Sequence, residues 1–381
     1  MLSIHWLYEQ TNEAWLLVLA AKVQAQGFDW REHFADFRER DKVRQGWTTQ
    51  STHVVNNAMA IKLPGVWYRQ SHTERDRVAA FQFMEVLDRW HGQATGVFTG
   101  DEHYAGKNPS QGTELCAVVE YMFSLEVLLS ILGESALADR LERIAFNALP
   151  ATFSPDMWAH QYDQQANQVL CKVAEDRWFE TNDADANIYG LEPHYGCCTA
   201  NMHQGWPKFA AHLWMASPDG GIAAVAYAPS YVDTTIKGVR VEIKLETAYP
   251  FDNTLTFTVY TPQPVTFPLH LRIPGWATGA TVSIDGELLH AVPAGQFYRL
   301  EREWHAGDVV KLLLPMPVQV ERRYNNSIAM SRGPLVYGLR MGEEWQQLRG
   351  ELPHADWEVY PTTPWNYALQ LDEADPAASF H

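Results

Sequence analysis

Apolar positions recur every three to four residues through the first half of the chain. Through much of the second half they recur every second residue. In "NEAWLLVLAAKVQAQG" (12–27) the apolar residues fall on helical spacing and a Gly closes the run. The same spacing runs through "ERDRVAAFQFMEVLDRWHG" (74–92), "ELCAVVEYMFSLEVLLSILGE" (114–134), "ALADRLERIAFNALP" (136–150) and "ANMHQGWPKFAAHLWMAS" (200–217). It predicts a helical region from residue 1 to about 216. The loops between these runs are polar and rich in Gly, Asn and Asp. The loop 151–199 is long, which a compact domain tolerates mainly where the loop is functional.

After "SPDGG" (217–221) the period changes to two. "VRVEIKLETAY", "TLTFTVYTP", "FPLHLRIPGW", "ATVSIDGELL", "GQFYRLEREW" and "DVVKLLLPMPVQVERRY" alternate apolar and polar residues between short turns. That pattern predicts an antiparallel β-sandwich. The organisation expected is a helical domain over 1–217, a β-sandwich over 218–340, and a C-terminal segment over 341–381 that starts a further β region. "WEVYPTTPWNYAL" is its one ordered piece.

Composition narrows the function classes. Hydrophobic residues make up 46% and charged residues 20% of the 381, as in a globular protein with a sizeable core. The net charge of −17 leaves no basic face for nucleic acid and disfavours an anionic membrane surface. No membrane span is expected, and the start "MLSIHWLYEQTNEAW" lacks the form of a signal peptide. Four cysteines do not make a disulfide framework; reduced thiols in the cytoplasm fit better. The 15 Trp suit a sugar-binding cleft or a Trp-rich core equally.

Two of the four cysteines, Cys197 and Cys198, are adjacent in "HYGCCTANMHQGWPKF" (194–209). Cys116 follows Glu114 by two residues in the first turn of the 114–132 helix. Three thiols and a carboxylate would then sit at helix N-termini, where unpaired N–H groups favour the anionic form. Three sulfurs and a carboxylate make a four-coordinate Zn²⁺ set. The spacing is not that of a zinc finger, and buried structural cysteines are the alternative. Cys171 in "VLCKVA" fits that plainer reading. Glu120 and Glu126 are expected to face solvent or cap neighbours, and Trp206 to pack within its helix.

"TGDEHYAGKNPSQGTELCAVVEYMFSLEVLL" and "HYGCCTANMHQGWPKF" together resemble the DUF1680 or glycoside hydrolase family 127 proteins, the β-L-arabinofuranosidase-like enzymes. "THVVNNAMAIKLPGVWY" (52–68), "LERIAFNALPATFSPD" (141–156) and "WEVYPTTPWNYALQLD" (357–372) resemble further blocks of that family. The resemblance implies an (α/α)6 barrel followed by β-sandwich domains. It implies zinc held by Glu114, Cys116, Cys197 and Cys198, with Cys197 the nucleophile. It implies Glu102, in "TGDEHY", as acid/base. His53, Glu142 and Tyr162 match sugar-contacting or site-supporting positions, although His53 also reads as an ordinary hydrogen-bonded helix residue and Tyr162 as one of an open set in the long loop; His194, which flanks the cysteines, either contacts substrate in the cleft or merely packs.

About twelve helices of about twelve residues each outrun the residues before the sandwich. The barrel is therefore expected to be partial and the chain shorter than the family at both ends. The implied activity is a zinc-dependent retaining hydrolysis of a terminal sugar through a cysteine thioglycosyl intermediate, acting on a carbohydrate substrate. Two other readings stay open. One is a non-catalytic chain with a structural zinc that binds a sugar or a partner. The other is a related enzyme acting on another sugar. An apolar edge of a partial barrel would suit a homodimer.

Overall fold

A computed structural model describes residues 1–44, 46–174, 183–191 and 195–379. The helices are α1 (Leu2–Thr11), α2 (Trp15–Gln26), α3 (Trp30–Ala35), α4 (Val54–Ala60), α5 (Leu63–Ser71), α6 (Glu74–His91), α7 (Leu115–Leu132), α8 (Ser135–Arg143) and α9 (Gly196–Ala211). Local chemistry sets several ends. The Asp29 carboxylate accepts from the backbone N–H of Arg31 and Glu32 at the start of α3. Thr73 caps α6 through Asp76 N–H, and Gly133 ends α7 in the left-handed conformation.

Helix α7 is the centre of the helical region, packed by α4, α5, α8 and α9. It is apolar on nearly every side. By length and composition alone it could cross a membrane, but 72% of it is buried inside the fold, as in a core helix. Glu126 on α7 departs from expectation: it is fully buried rather than solvent-facing. Burial pushes its carboxyl up to about 8, and His212 Nδ1 lies 3.4 Å away. Glu120 is largely buried too, 3.4 Å from Lys62 Nζ. Trp206 packs against the helical core as expected.

Two larger sheets follow. Six strands run in the order Glu287–Ala291, Thr281–Ile284, Val309–Leu313, Thr254–Tyr260, Val239–Thr247, Ser230–Ile236. Four run in the order Gln296–Trp304, Val265–Ile273, Ile222–Ala224, Trp214–Ala216. Ile243, Leu245 and Phe257 of the first sheet share one core with Phe267, Leu271 and Trp304 of the second. Pairing is antiparallel except between Ile222–Ala224 and Val265–Ile273, which run parallel. Trp214–Ala216, read as the end of a helix, is a strand. It forms a hairpin with Ile222–Ala224 around the Asp219, Gly220 turn, and that pairing competes successfully with helix continuation.

Helices and sheets are joined by a buried ionic hub. Arg272, fully buried on strand Val265–Ile273, lies 2.5 Å from Glu142 of α8 and also pairs with Asp139. Its Nε–H donates to Val225 O at 2.6 Å. The C-terminal hairpin Glu343–Arg349 with Asp356–Pro361 turns back onto the long loop. There Val359 exchanges backbone hydrogen bonds with Cys171, and Trp357 with Tyr189. On α2, Trp15, Val18, Leu19 and Val23 lie on one exposed side of the helix.

Candidate active site

The site is assembled where a short strand pair meets two helix N-termini. Gly112–Glu114 pairs antiparallel with Asp163–Gln165 in the long loop, setting Glu114 opposite Asp163. Only glycine fits at 112, because a Cβ there would come within 1.8 Å of Asp163 Oδ2. Glu114 then occupies the position just before α7, and its N–H donates to Gly100 O at 2.9 Å. Cys116 lies in the first turn of α7. Cys197 and Cys198 lie in the first turn of α9, which begins at Gly196, earlier than its sequence pattern predicts. Both helix ends present positive dipole to the sulfurs.

One ligand atom from each of Glu114, Cys116, Cys197 and Cys198 lies within 4.8 Å of all the others. Cys116 Sγ is 3.3 Å from Cys198 Sγ, and Asn201 Nδ2–H donates to Cys116 Sγ at 3.1 Å. Glu114, Cys116 and Cys198 are buried, whereas Cys197 is exposed. Hydrogen bonds from Cys116 and then Cys198 hold the Cys197 thiol far below its ordinary range. The same bonds drive Cys116 and Cys198 up. Burial, reinforced by the charges of Glu102 and Cys197, raises the Glu114 carboxyl. Glu114 Oε2 is buried with no hydrogen-bond partner. Such an orphaned oxygen beside three clustered sulfurs fits a four-coordinate divalent metal better than it fits a metal-free core.

Glu102 stands beside this set. Its backbone has φ 102°, a region that side-chain-bearing residues rarely occupy. It is held there by Val54 N–H, which donates to Glu102 O at 2.8 Å. The Glu102 carboxylate lies 2.8 Å from His53 Nε2 and accepts from the Tyr162 hydroxyl at 3.1 Å. The His53 hydrogen bond, ahead of an opposing burial effect, keeps this carboxyl below its usual range. His53 is the residue that precedes α4, and Tyr162 is fully buried and stacked on Tyr195 at 3.8 Å. His53, Glu102 and Glu114 also offer ligand atoms within 4.8 Å of one another.

The fold therefore brings together Glu102, Glu114, Cys116, Cys197, Cys198, His53 and Tyr162. It does not bring Glu142 to them. That carboxylate is fully buried in the hub, ion-paired with Arg272 and accepting hydrogen bonds from the Tyr249 hydroxyl and Tyr227 N–H, with no oxygen open to a sugar. His194 lies outside the described residues. His160 is buried against Thr199 of α9, and Cys171 is tied to the C-terminal hairpin. Sequence reasoning passed over Asn201, although its place one helical turn after Cys197 sets it on the same side of α9.

A family profile described as the β-L-arabinofuranosidase GH127 catalytic domain matches residues 1–211. A second, the GH127 middle domain, matches residues 221–316. A search of curated proteins gives no match. Among solved structures the fold is similar to a chain described as a glycoside hydrolase, with TM-score 0.70, 16% identity, and coverage of 93% of this chain and 70% of that one. It is also similar to a GH127 β-L-arabinofuranosidase from Geobacillus stearothermophilus T6, with TM-score 0.65, 19% identity, and coverage of 94% and 68%. A GH127 β-arabinofuranosidase gives TM-score 0.60 and 15% identity, with coverage of 94% and 64%. At these identities the structures speak for the fold alone. The catalytic-domain profile, spanning more than half of the sequence, shows that the chain belongs to glycoside hydrolase family 127 and is a β-L-arabinofuranosidase-like glycoside hydrolase.

Proposed function

We propose that this chain is a retaining glycosidase that removes a terminal β-L-arabinofuranosyl or related sugar, with Cys197 as nucleophile and Glu102 as acid/base. One observation carries the reading: among the clustered sulfurs, Cys197 alone is exposed and so open to an incoming sugar. Retention needs a nucleophile on one face of the anomeric carbon and a proton donor at the leaving oxygen. The Cys197 sulfur attacks C1 and forms an S–C bond as the C1–O bond breaks. Glu102 gives its proton to the departing oxygen. Glu102 then takes a proton from water, water attacks C1, and the sulfur leaves as thiolate.

Glu114, Cys116, Cys197 and Cys198 would hold a zinc ion, which when bound supplies the positive charge that keeps these sulfurs deprotonated. His53 and Tyr162 orient Glu102 through its two carboxylate oxygens. In this reading the helical region, 1–217, is part of an (α/α)6 barrel. The sandwich 218–340 and the segment 341–381 brace it.

Glu102→Gln tests the assignment. Hydrolysis of substrates with poor leaving groups should fall by about 10²–10⁴-fold, the usual worth of a general acid. Formation of the glycosyl intermediate from activated aryl glycosides should fall far less, since those leaving groups need little protonation. Equal loss on both substrate types would reduce Glu102 to a residue that shapes the site.

A further inference from the structure

Glu114 belongs to two ligand sets at once. One holds the three sulfurs; the other holds His53 and Glu102, and within each set the ligand atoms lie no more than 4.8 Å apart. We propose that His53, Glu102 and Glu114 form a second, weaker site for zinc or a similar divalent cation, and that filling it inhibits the enzyme. The inhibitory half of this proposal rests on Glu102 being the acid/base; the binding half does not.

The donor set is one imidazole nitrogen and two carboxylate oxygens. Zinc accepts such a set, with three protein ligands and a position left for water. Glu114 is 2% exposed, has no ion-pair partner among the described residues, and keeps Oε2 without a hydrogen bond. A second carboxylate, that of Glu102, faces the same small space. A cation there would offset the like charge of the two carboxylates.

One pair of the three ligands is already close to the spacing a zinc ion needs. His53 Nε2 and Glu102 Oε2 are 2.8 Å apart, while ligand atoms at about 2.0–2.2 Å from a tetrahedral zinc lie roughly 3.3 Å from one another. Opening that pair by about 0.5 Å lets the ion take the place of the proton shared between His53 and Glu102, which leaves to solvent, and Glu114, with a ligand atom within 4.8 Å of both, closes in as the third ligand. The path in is open, because the side chains of His53 and Glu102 are 24% and 31% exposed. Glu114 would then be the residue that the two sets share, as a carboxylate is in two-metal sites.

The order of filling follows from ligand softness. Thiolates hold zinc more strongly than imidazole with carboxylates, so the sulfur set fills first and the second set only in excess metal. Once filled, Glu102 donates its lone pair to the ion and can no longer carry a proton to the leaving oxygen.

The test is zinc stoichiometry across a series of buffered free-zinc concentrations, with hydrolysis measured in parallel. The wild-type chain should bind about one zinc tightly and reach about two in excess, as two such sites would. Its rate should fall at least tenfold as the second ion binds. His53→Ala and Glu102→Gln should each stop at one, with the retained tight zinc reporting that the variant is folded. The residual rate of His53→Ala should be indifferent to excess zinc. Cys116→Ala should lose the tight equivalent instead. A wild-type chain that stops at one zinc in excess metal overturns the proposal, as does His53→Ala that still takes up the second. Retention of the tight zinc in Cys116→Ala would count against the sulfur site while leaving this one standing.

Discussion

Glu102 shows how much a single residue is made to carry. Its φ of 102° costs of order 1–3 kcal/mol and persists only because the chain on either side is fixed. Thr52 and His103 help to fix it: Thr52 Oγ1 lies 2.8 Å from His103 Nδ1, and His53 bridges His103 in antiparallel register. The result aims the carboxylate at His53 and Tyr162, whose hydrogen bonds favour its ionised form. A general acid acts only when protonated, so kcat/KM should fall as pH rises through the Glu102 pKa, and that fall should begin in the acidic range. Removing the His53 donor takes away the largest cause of the lowered pKa. In His53→Ala the alkaline limb should therefore move to higher pH. A limb that stays in place, measured as kcat/KM against pH on one substrate, would separate His53 from Glu102.

At the scale of elements, the site exists because α7 and α9 pack together with their first turns adjacent and a three-residue strand feeds Glu114 into the gap. Gly112 sits at the start of that strand. Gly112→Ala drives a methyl group into the Asp163 carboxylate, an overpacking worth about 1–3 kcal/mol. It should leave the far-UV helix signal in place while lowering zinc content and activity at least tenfold, because Glu114 two residues on is displaced. Unchanged zinc uptake and activity would show that this strand pair does not position the site. The long helices were legible from period alone: α2, α6, α7 and α8 fall where the apolar spacing runs, although the run read as one helix over 136–150 leaves the α-helix after Arg143. The strands Gly112–Glu114 and Asp163–Gln165 were not, since three residues cannot show a period. The sulfur cluster and Glu102 were legible as residue types in named blocks. The burial of Glu126 and the removal of Glu142 into the hub were not, because both depend on partners far away in sequence, His212 and Arg272.

Across the whole molecule, the helices that hold the site are locked to the sandwich by the fully buried Arg272, which pairs with the fully buried Glu142 and the partly exposed Asp139 of α8. Removing one partner leaves uncompensated charge behind. Arg272→Met should lower stability by about 3–5 kcal/mol, and adding Glu142→Gln should recover part of that loss. Chemical denaturation of the single and double variants measures both terms, and a single variant as stable as the parent would deny the hub its role. The proposed role of this framework is to support a nucleophilic sulfur, and the protein can be asked directly which atom attacks. A furanoside analogue carrying an epoxide or halide at the reacting carbon should alkylate the nucleophile, and fragment-ion mapping can tell Cys197 from Cys198. Label on Cys197, with turnover abolished in Cys197→Ala, is the expected result. Label on Glu102 or another carboxylate, with Cys197 unmodified, would contradict it and leave the cysteines a purely structural role.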